Sequence, residues 1–179
     1  DGLLLSGSPC GVYERLDWMK PVADWALGAA ADGTGVLGVC FGHQLLGQAL
    51  GGSCVKNPNG REIGTRHIER VVDDPLFDGL DARFSANVTH VDSVVRAPRG
   101  AAVLAKSDLD PHHALRFSPT CYGVQFHPEI DGDVMRGYVE ARRAILADEG
   151  FDVDAMLAAI DDAPAGRATL RNFVRHVVR

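Results

Sequence analysis

The sequence predicts an α/β protein in which a Rossmann-like central sheet is flanked by helices. Apolar runs at residues 2–7 and 35–40 lead into glycine-rich turns, as buried strands do. A segment with helical spacing follows each run, at 13–32 and 42–52. Because strand and helix alternate, we expect a mostly parallel sheet. Short strands separated by turns fill residues 53–126, which predicts a mixed or antiparallel extension of that sheet.

The helices are predicted from apolar spacing and from the turn residues between them. In the first helical segment, Trp18 and Trp25 are seven residues apart, so we expect them to share one buried helix face. The last part of the chain is helical in pattern, with breaks at "DEGFD" and "DDAPAG". We therefore expect helical pieces at 132–148, 152–161 and 164–177.

Composition argues against several classes of function. The chain has 179 residues and a formal net charge of −6, which suits a single domain and disfavours a nucleic-acid surface. No apolar run approaches the roughly 20 residues that a bilayer-spanning helix needs, so we expect no membrane association. The four cysteines show neither a disulfide framework nor a CxxC pair, and we expect reduced thiols in a cytoplasmic protein.

Cys40 stands between two glycines where the second strand meets the second helix, in the stretch "GVLGVCFGHQ". This is the cysteine version of the G-x-S-x-G nucleophile elbow, in which a strained turn lifts the nucleophile above the edge of the sheet. The N-terminal amides of the helix that follows favour a thiolate over a thiol. Taken alone, the pattern also fits a small apolar residue that ends a buried strand.

A second stretch, "YGVQFHPE" at 122–129, runs from a strand into His127, Pro128 and Glu129. Pro128 favours an extended conformation at His127. Glu129, two residues away, can then accept a hydrogen bond from the imidazole and leave the other ring nitrogen to act as a base toward a thiol. Alone, these residues also suit a surface turn. Together with Cys40, they predict a Cys-His-Glu triad.

Both stretches resemble the motifs of the class I glutamine amidotransferases, also called triad amidotransferases. Residues 38–44 match the family's G-[VI]-C-x-G-x-Q elbow, and residues 126–129 match its F-H-P-E motif. The loop "SGSPCGVYE" at 6–14 resembles the family's G-[SG]-P loop. The GMP synthetase branch is the most similar, because "VTHVDSV" at 88–94 resembles its S-H-x-D-x-V segment. The resemblance implies a flavodoxin-like amidotransferase fold.

The resemblance also implies a role for each matching residue. Cys40, His127 and Glu129 would form the catalytic triad, and the backbone N–H groups of Gly7 and Phe41 would form the oxyanion hole. Substrate-binding positions of the family fall on Gln44, His90, Val91 and Asp92. Neither a metal nor an organic cofactor is implied.

Three functions remain open at this point. The first is a glutamine amidotransferase that hydrolyses L-glutamine through a γ-glutamyl thioester and passes ammonia to a separate ATP-dependent synthetase, as in the GMP synthetase branch. The second is a stand-alone γ-glutamyl hydrolase or peptidase of the same fold, acting on a γ-glutamyl amide. The third is a non-catalytic glutamine-binding regulator, which an intact triad disfavours. The triad does not distinguish the first from the second.

The resemblance predicts how the chain is organised. Residues 1–142 are expected to form the amidotransferase domain, without the N-terminal strands that family members usually have before the oxyanion loop. Residues 143–179 are expected to form a helical extension packed on the same domain.

Two further stretches are interpreted as structural. "GREIG" at 60–64 resembles a strand signature of the GMP synthetase branch. His112 and His113 are adjacent in a predicted strand, so they should point to opposite faces and not bind one metal ion together.

Overall fold

The computed structural model describes residues 1–178 of the chain, so Arg179, the end of the expected extension, lies outside the described residues. The strands are β1 (Gly2–Leu5), β2 (Gly35–Val39), β3 (Ser53–Lys56), β4 (Glu62–Arg70), β5 (Arg83–His90), β6 (Asp92–Arg96), β7 (Ala102–Lys106), β8 (Ala114–Ser118) and β9 (Cys121–Val124). The α-helices are α1 (Met19–Ala31), α2 (Phe41–Ala49), α3 (Gly132–Ala141), α4 (Arg143–Asp148), α5 (Val153–Ala158) and α6 (Ala165–His176). Within residues 1–178, no helix has both the length and the apolar character needed to span a bilayer.

One seven-stranded mixed sheet forms the centre of the molecule, in the order β1-β2-β9-β8-β7-β4-β5. The pairs β1-β2 and β2-β9 are parallel, whereas the pairs from β9 through β8, β7 and β4 to β5 are antiparallel. The α/β class and the antiparallel extension are confirmed. The sheet has fewer parallel strand pairs than the expected mostly parallel sheet would have. Parallel pairing needs a long crossover, usually a helix, and every α-helix of the described chain lies outside residues 53–126.

Strands β3 and β6 lie outside this sheet and form a separate antiparallel pair. Cys54 of β3 and Val94 of β6 pack with Phe41 and Leu45 of α2 in one apolar cluster. The two-stranded sheet therefore lies against the helix that follows Cys40.

Strand β2 is buried along its whole length, which explains its uninterrupted apolar sequence. Leu37 and Val39 belong to the main core, whereas Val36 packs with Ala26 and Leu46 on helices α1 and α2. Strand β1, by contrast, forms the edge of the sheet and pairs with β2.

Helix α1 corrects one expectation about side-chain burial. Trp18 and Trp25 are 42% and 62% exposed, so they do not form a buried face. The buried face consists of Met19 with Ala23, Ala26 and Ala30. Small alanines let the helix lie close to the sheet, whereas the Trp18 ring lies over Phe41 at the start of α2, with ring centres 5.5 Å apart.

The helices of the last third pack on the antiparallel half of the sheet. Met135 and Val139 of α3 form an apolar cluster with Ile63 of β4 and Leu146 of α4. Phe173 of α6 enters the main core. These contacts place the C-terminal helices beside the strand ends that bear the candidate site.

Candidate active site

Cys40 lies on a sharply strained turn between β2 and α2. Its backbone has φ 50° and ψ −105°, in the positive-φ range that favours glycine. Such strain in a non-glycine residue is typical of functional sites. The Cys40 N–H donates to the carbonyl of Val124 at 2.8 Å, which ties the turn to the end of β9.

The glycines on both sides of Cys40 are required by close backbone contacts. A Cβ at Gly38 would lie 2.5 Å from the carbonyl carbon of Gly42. A Cβ at Gly42 would lie 2.3 Å from the carbonyl oxygen of Leu5 in β1. The elbow can therefore form only where both positions lack a side chain, which is the physical reason for the G-x-C-x-G pattern.

Helix α2 begins immediately after Cys40, with Cys40 as its N-cap residue. The Gln44 N–H donates to the Cys40 carbonyl at 3.0 Å, closing the first helical turn. The positive end of the helix dipole thus lies at the cysteine and favours negative charge on the sulfur.

His127 follows β9, the parallel neighbour of β2, so both residues lie at the same edge of the sheet. The His127 N–H donates to the carbonyl of Asn87 at 2.8 Å, which anchors the segment to β5. The side chain is almost completely buried. Its Nδ1 is 2.7 Å from Oε1 of Glu129, the geometry expected from the two-residue spacing.

The charge of His127 is stabilised by its two neighbours. Burial by itself lowers the pKa of His127, but its interactions with the nearby Cys40 thiol group and with Glu129 outweigh burial and raise the pKa from 6.5 to about 10. Gly7 lies beside both residues. A Cβ at Gly7 would lie 3.2 Å from Cε1 of His127 and 3.9 Å from Cβ of Cys40. Gly7, Cys40 and His127 therefore surround one small space.

The structure brings the predicted residues together in a single cleft of about 470 Å³. Eight of the nine line it: Gly7, Cys40, Gln44, His90, Val91, Asp92, His127 and Glu129. Phe41 is not among the lining residues, and its side chain packs into the core at 4% exposure. Only the backbone N–H of Phe41, at the start of α2, was expected to contribute.

Gln44 and the 90–92 segment are joined by hydrogen bonds. Nε2 of Gln44 donates to the Asp92 carbonyl at 3.0 Å and to Oε1 of Gln125 at 3.0 Å. Nδ1 of His90 also lies 2.9 Å from the Asp92 carbonyl. Both lone pairs of that carbonyl are thus occupied, so other backbone groups of the segment are the ones left to bind a ligand.

Some residues of the cleft were not found from the sequence. Arg61, Tyr138 and Arg142 line its outer part. Arg61 is held by Glu149 through two hydrogen bonds of 2.8 and 2.9 Å. Arg61 lies in the "GREIG" stretch, interpreted above as structural, and no local pattern marks Tyr138 or Arg142.

Tyr13 was missed as well, although it lies in the stretch taken as the oxyanion loop. Its hydroxyl donates to Oδ1 of Asp92 at 3.2 Å. This bond ties the loop to the 90–92 segment.

Behind the cleft, Glu62, His90 and His113 form a buried cluster whose side-chain nitrogen and oxygen atoms lie within 4.8 Å of one another. It is the group of residues that could hold a metal ion within the described part of the chain. His112 bonds instead to the carbonyl of Val94, so the two adjacent histidines do point apart, as expected.

The site has a cysteine on a glycine-flanked elbow and, beside it at the edge of a mixed sheet, a histidine that is bound by a carboxylate. These features define a class of α/β proteins with thiol nucleophiles. Residues 1–145 match the family model described as glutamine amidotransferase class-I. The chain therefore belongs to the class I glutamine amidotransferase family.

Curated relatives place the chain near the GMP synthetase branch. It is 42% identical over 129 residues to a GMP synthase (glutamine-hydrolyzing) of Thermomicrobium roseum, covering 72% of this chain and 23% of the relative. A GMP synthase of Desulfotalea psychrophila is 40% identical over 172 residues, covering 90% of this chain and 32% of the relative. The chain thus spans about a quarter to a third of the length of these relatives.

Solved structures show the same fold. A crystal structure of a glutamine amidotransferase from Thermotoga maritima superposes with a TM-score of 0.82 at 26% identity, covering 97% of this chain and 77% of that one. A glutamine amidotransferase from Methylobacillus flagellatus gives a TM-score of 0.80 at 21% identity, covering 99% of this chain and 77% of that one.

Proposed function

We propose that this chain hydrolyses L-glutamine to glutamate and ammonia, with Cys40 as the nucleophile, and that the ammonia passes to a separate synthetase of the GMP synthetase type. One observation supports the proposal above all: the strained elbow at Cys40 and the His127–Glu129 pair line the same cleft. Neither a metal nor an organic cofactor takes part in the proposed reaction.

The proposed reaction has two halves. The Cys40 thiolate attacks the side-chain amide carbon of glutamine, and His127 gives its proton to the departing ammonia, which leaves a γ-glutamyl thioester. His127 then takes a proton from water, which attacks the thioester and releases glutamate. Glu129 stabilises the imidazolium and holds the ring in place, without itself transferring protons.

The remaining residues bind the substrate and stabilise charge. The backbone N–H groups of Gly7 and Phe41 are proposed to bind the oxyanion of each tetrahedral intermediate, because preorganised amides stabilise that charge without rearranging. Gln44 and the 90–92 segment are proposed to position the glutamyl group.

The proposal of a synthetase partner is based on the GMP synthase relatives named above. The chain matches only part of each GMP synthase, so an ATP-dependent synthetase would be supplied by another chain or domain. Residues 1–142 are proposed to form the amidotransferase domain and residues 143–179 a helical extension packed on it. The four free cysteines support a cytoplasmic location.

A glutamine-mimicking electrophile tests the nucleophile. Diazo-oxo-norleucine should label Cys40 alone, and Cys40→Ala should be unlabelled and inactive, as followed by peptide mass spectrometry and a glutaminase assay. Cys10→Ala is the matched control, because Cys10 lines the same cleft and should be dispensable. Labelling at Cys10 in the unmodified protein would contradict the assignment.

Comparing turnover of glutamine and of a γ-glutamyl peptide, with and without a synthetase, tests whether the chain works with a partner. Glutaminase activity should be low for the chain alone and rise strongly when a GMP synthetase ATP-binding subunit and its substrates are added. Turnover of about 1–10³ s⁻¹ on a γ-glutamyl peptide, with little on glutamine, would instead identify a stand-alone γ-glutamyl hydrolase. Binding of glutamine without turnover under both conditions would identify a regulator.

A further inference from the structure

The cluster behind the cleft contains a carboxylate and two imidazoles that are almost fully shielded from water. Glu62, His90 and His113 are 2%, 5% and 0% exposed. Oε2 of Glu62 lies 3.2 Å from Nε2 of His90 and 3.5 Å from Nε2 of His113. Ser107 Oγ also donates to Glu62 Oε2, at 3.0 Å. A buried carboxylate is costly unless it is paired in this way.

The strand pairing explains why the cluster forms. Glu62 begins β4 and is the direct partner of His90, which ends β5. Directly opposed residues of an antiparallel pair project to the same face of the sheet. His113 reaches the same point from the segment before β8, with its ring stacked on Phe126 and edge-on to His90.

His90 faces an oxygen atom with each of its ring nitrogens. A carbonyl oxygen only accepts, so Nδ1 of His90, at 2.9 Å from the Asp92 carbonyl, must carry a proton. Nε2 faces the Glu62 carboxylate at 3.2 Å. Burial opposes the charge on Glu62, but the adjacent imidazoles of His113 and His90 hold the pKa of its carboxyl well below the usual range. The His90 ring therefore connects the Glu62 carboxylate to the Asp92 carbonyl.

His90 lies at a corner of the backbone. β5 belongs to the seven-stranded sheet and β6 to the two-stranded sheet, and Val91 is the single residue between them. The bond from Nδ1 of His90 to the Asp92 carbonyl spans this corner. Gln44, one turn after Cys40, donates to the same carbonyl from the other side. Other groups near the corner are Tyr13 and the Asp92 carboxylate, which bond to each other.

We propose that Glu62 is a positioning residue, whose carboxylate holds the His90 ring in place and thereby fixes the corner at residues 90–92 that receives the glutamyl group. This inference rests on the proposed function, since it assigns that group to the 90–92 segment. It also gives "GREIG" a role beyond that of a strand signature. Because a carboxylate holds an imidazole more strongly than an amide does, replacing Glu62 by Gln should loosen the corner.

The test compares Glu62→Gln with Glu69→Gln. Glu69 is on the same strand and forms one ion pair, with Lys106, but it is exposed and far from the cleft. In Glu62→Gln, the apparent binding constant of diazo-oxo-norleucine should weaken about 10-fold, while the maximal rate of inactivation changes less than about 3-fold. Glu69→Gln should behave like the unmodified protein in both.

Two further measurements separate positioning from general damage. Alkylation of Cys40 by iodoacetamide, which needs no substrate site, should proceed at the same rate in both variants. In ¹⁵N-histidine NMR, the ring signals of His90, identified by their loss in His90→Gln, should shift in Glu62→Gln and stay in place in Glu69→Gln.

Several outcomes would overturn the inference. They are unchanged ring signals of His90 in Glu62→Gln, unchanged analogue binding in Glu62→Gln, or one equivalent of a divalent metal that Glu62→Gln loses, since the cluster would then be a metal site. If diazo-oxo-norleucine fails to label even the unmodified protein in the presence of the synthetase and its substrates, the proposed function fails. The NMR experiment still decides whether Glu62 holds His90 in that case.

Discussion

At the scale of single residues, the site depends on where charge is placed. His127 is buried and yet held as a cation by Glu129 and Cys40, whereas His43, fully buried one turn along α2, has its pKa lowered to about 4 by burial above all. Two histidines close to the same elbow thus have opposite charge states near neutral pH. The difference comes from an acidic partner within hydrogen-bond distance of His127.

Replacing Glu129 should give a pH-dependent loss of stability. The folded pKa of His127, about 10, lies above its ordinary value of 6.5. Its stabilising contribution is therefore complete below about pH 6.5 and is lost as the pH rises through about 10. Glu129→Gln removes one of the groups that raise this pKa, so its destabilisation should be larger at about pH 6 than at about pH 10, as measured by urea unfolding.

Asp133→Asn serves as the control, because Asp133 is an exposed acid that pairs with Arg136 on α3. Its effect should be small at both pH values, as is usual for exposed ion pairs. An equal destabilisation by Glu129→Gln at both pH values would show that Glu129 does not hold His127 in the charged form.

At the scale of elements, the strand–turn–helix unit around Cys40 is defined by contacts that exclude side chains. Gly42 approaches β1, and Gly38 approaches the first turn of α2. Gly123 on β9 also lies close to α2, since a Cβ at Gly123 would be 2.5 Å from Nδ1 of His43. Three neighbouring strands thus meet α2 at glycines, and the elbow has little room to relax.

Substitution at these glycines should be much more costly than at an open helix position. Gly42→Ala should destabilise by about 1–3 kcal/mol or more and reduce labelling of Cys40, because its Cβ meets backbone rather than a flexible side chain. Gly28→Ala in α1, where a Cβ meets nothing within 4 Å, should stabilise by about 0.5–1 kcal/mol. Thermal unfolding of both variants checks this, and a neutral Gly42→Ala would show that the elbow can open at little cost.

At the scale of the whole molecule, the C-terminal helices brace the segment that bears His127. Gly166 in α6 packs against Pro128, where a Cβ would lie 3.0 Å from its Cα. Asn87 connects the same region, since its carbonyl accepts from the His127 N–H and its Nδ2 donates to the carbonyls of Ile130 and Asp161. The position of the imidazole therefore depends on residues close to the end of the chain.

A bulky residue at Gly166 should disturb the site from a distance. Gly166→Val should push Pro128 and His127 away from Cys40 and slow labelling by diazo-oxo-norleucine at least about 10-fold, since small misplacements in an active site cost about that much or more. Gly137→Val in α3, where a Cβ has open space, is the matched control and should label normally. Normal labelling of a folded Gly166→Val would show that α6 does not position His127.

The sequence by itself determined the local chemistry. The elbow at Cys40 and the His127–Glu129 spacing depend on neighbouring residues and on backbone rules that act within a few positions, so both could be predicted. The α/β class followed in the same way from apolar runs and helical spacing. Tertiary structure decided what distant segments do together, such as the grouping of Glu62 with His90 and His113, because this buried cluster requires β4, β5 and the segment before β8 to meet. It also decided that Trp18 and Trp25 are exposed and that most pairs of the sheet are antiparallel, since burial and pairing depend on which neighbours an element acquires in the fold.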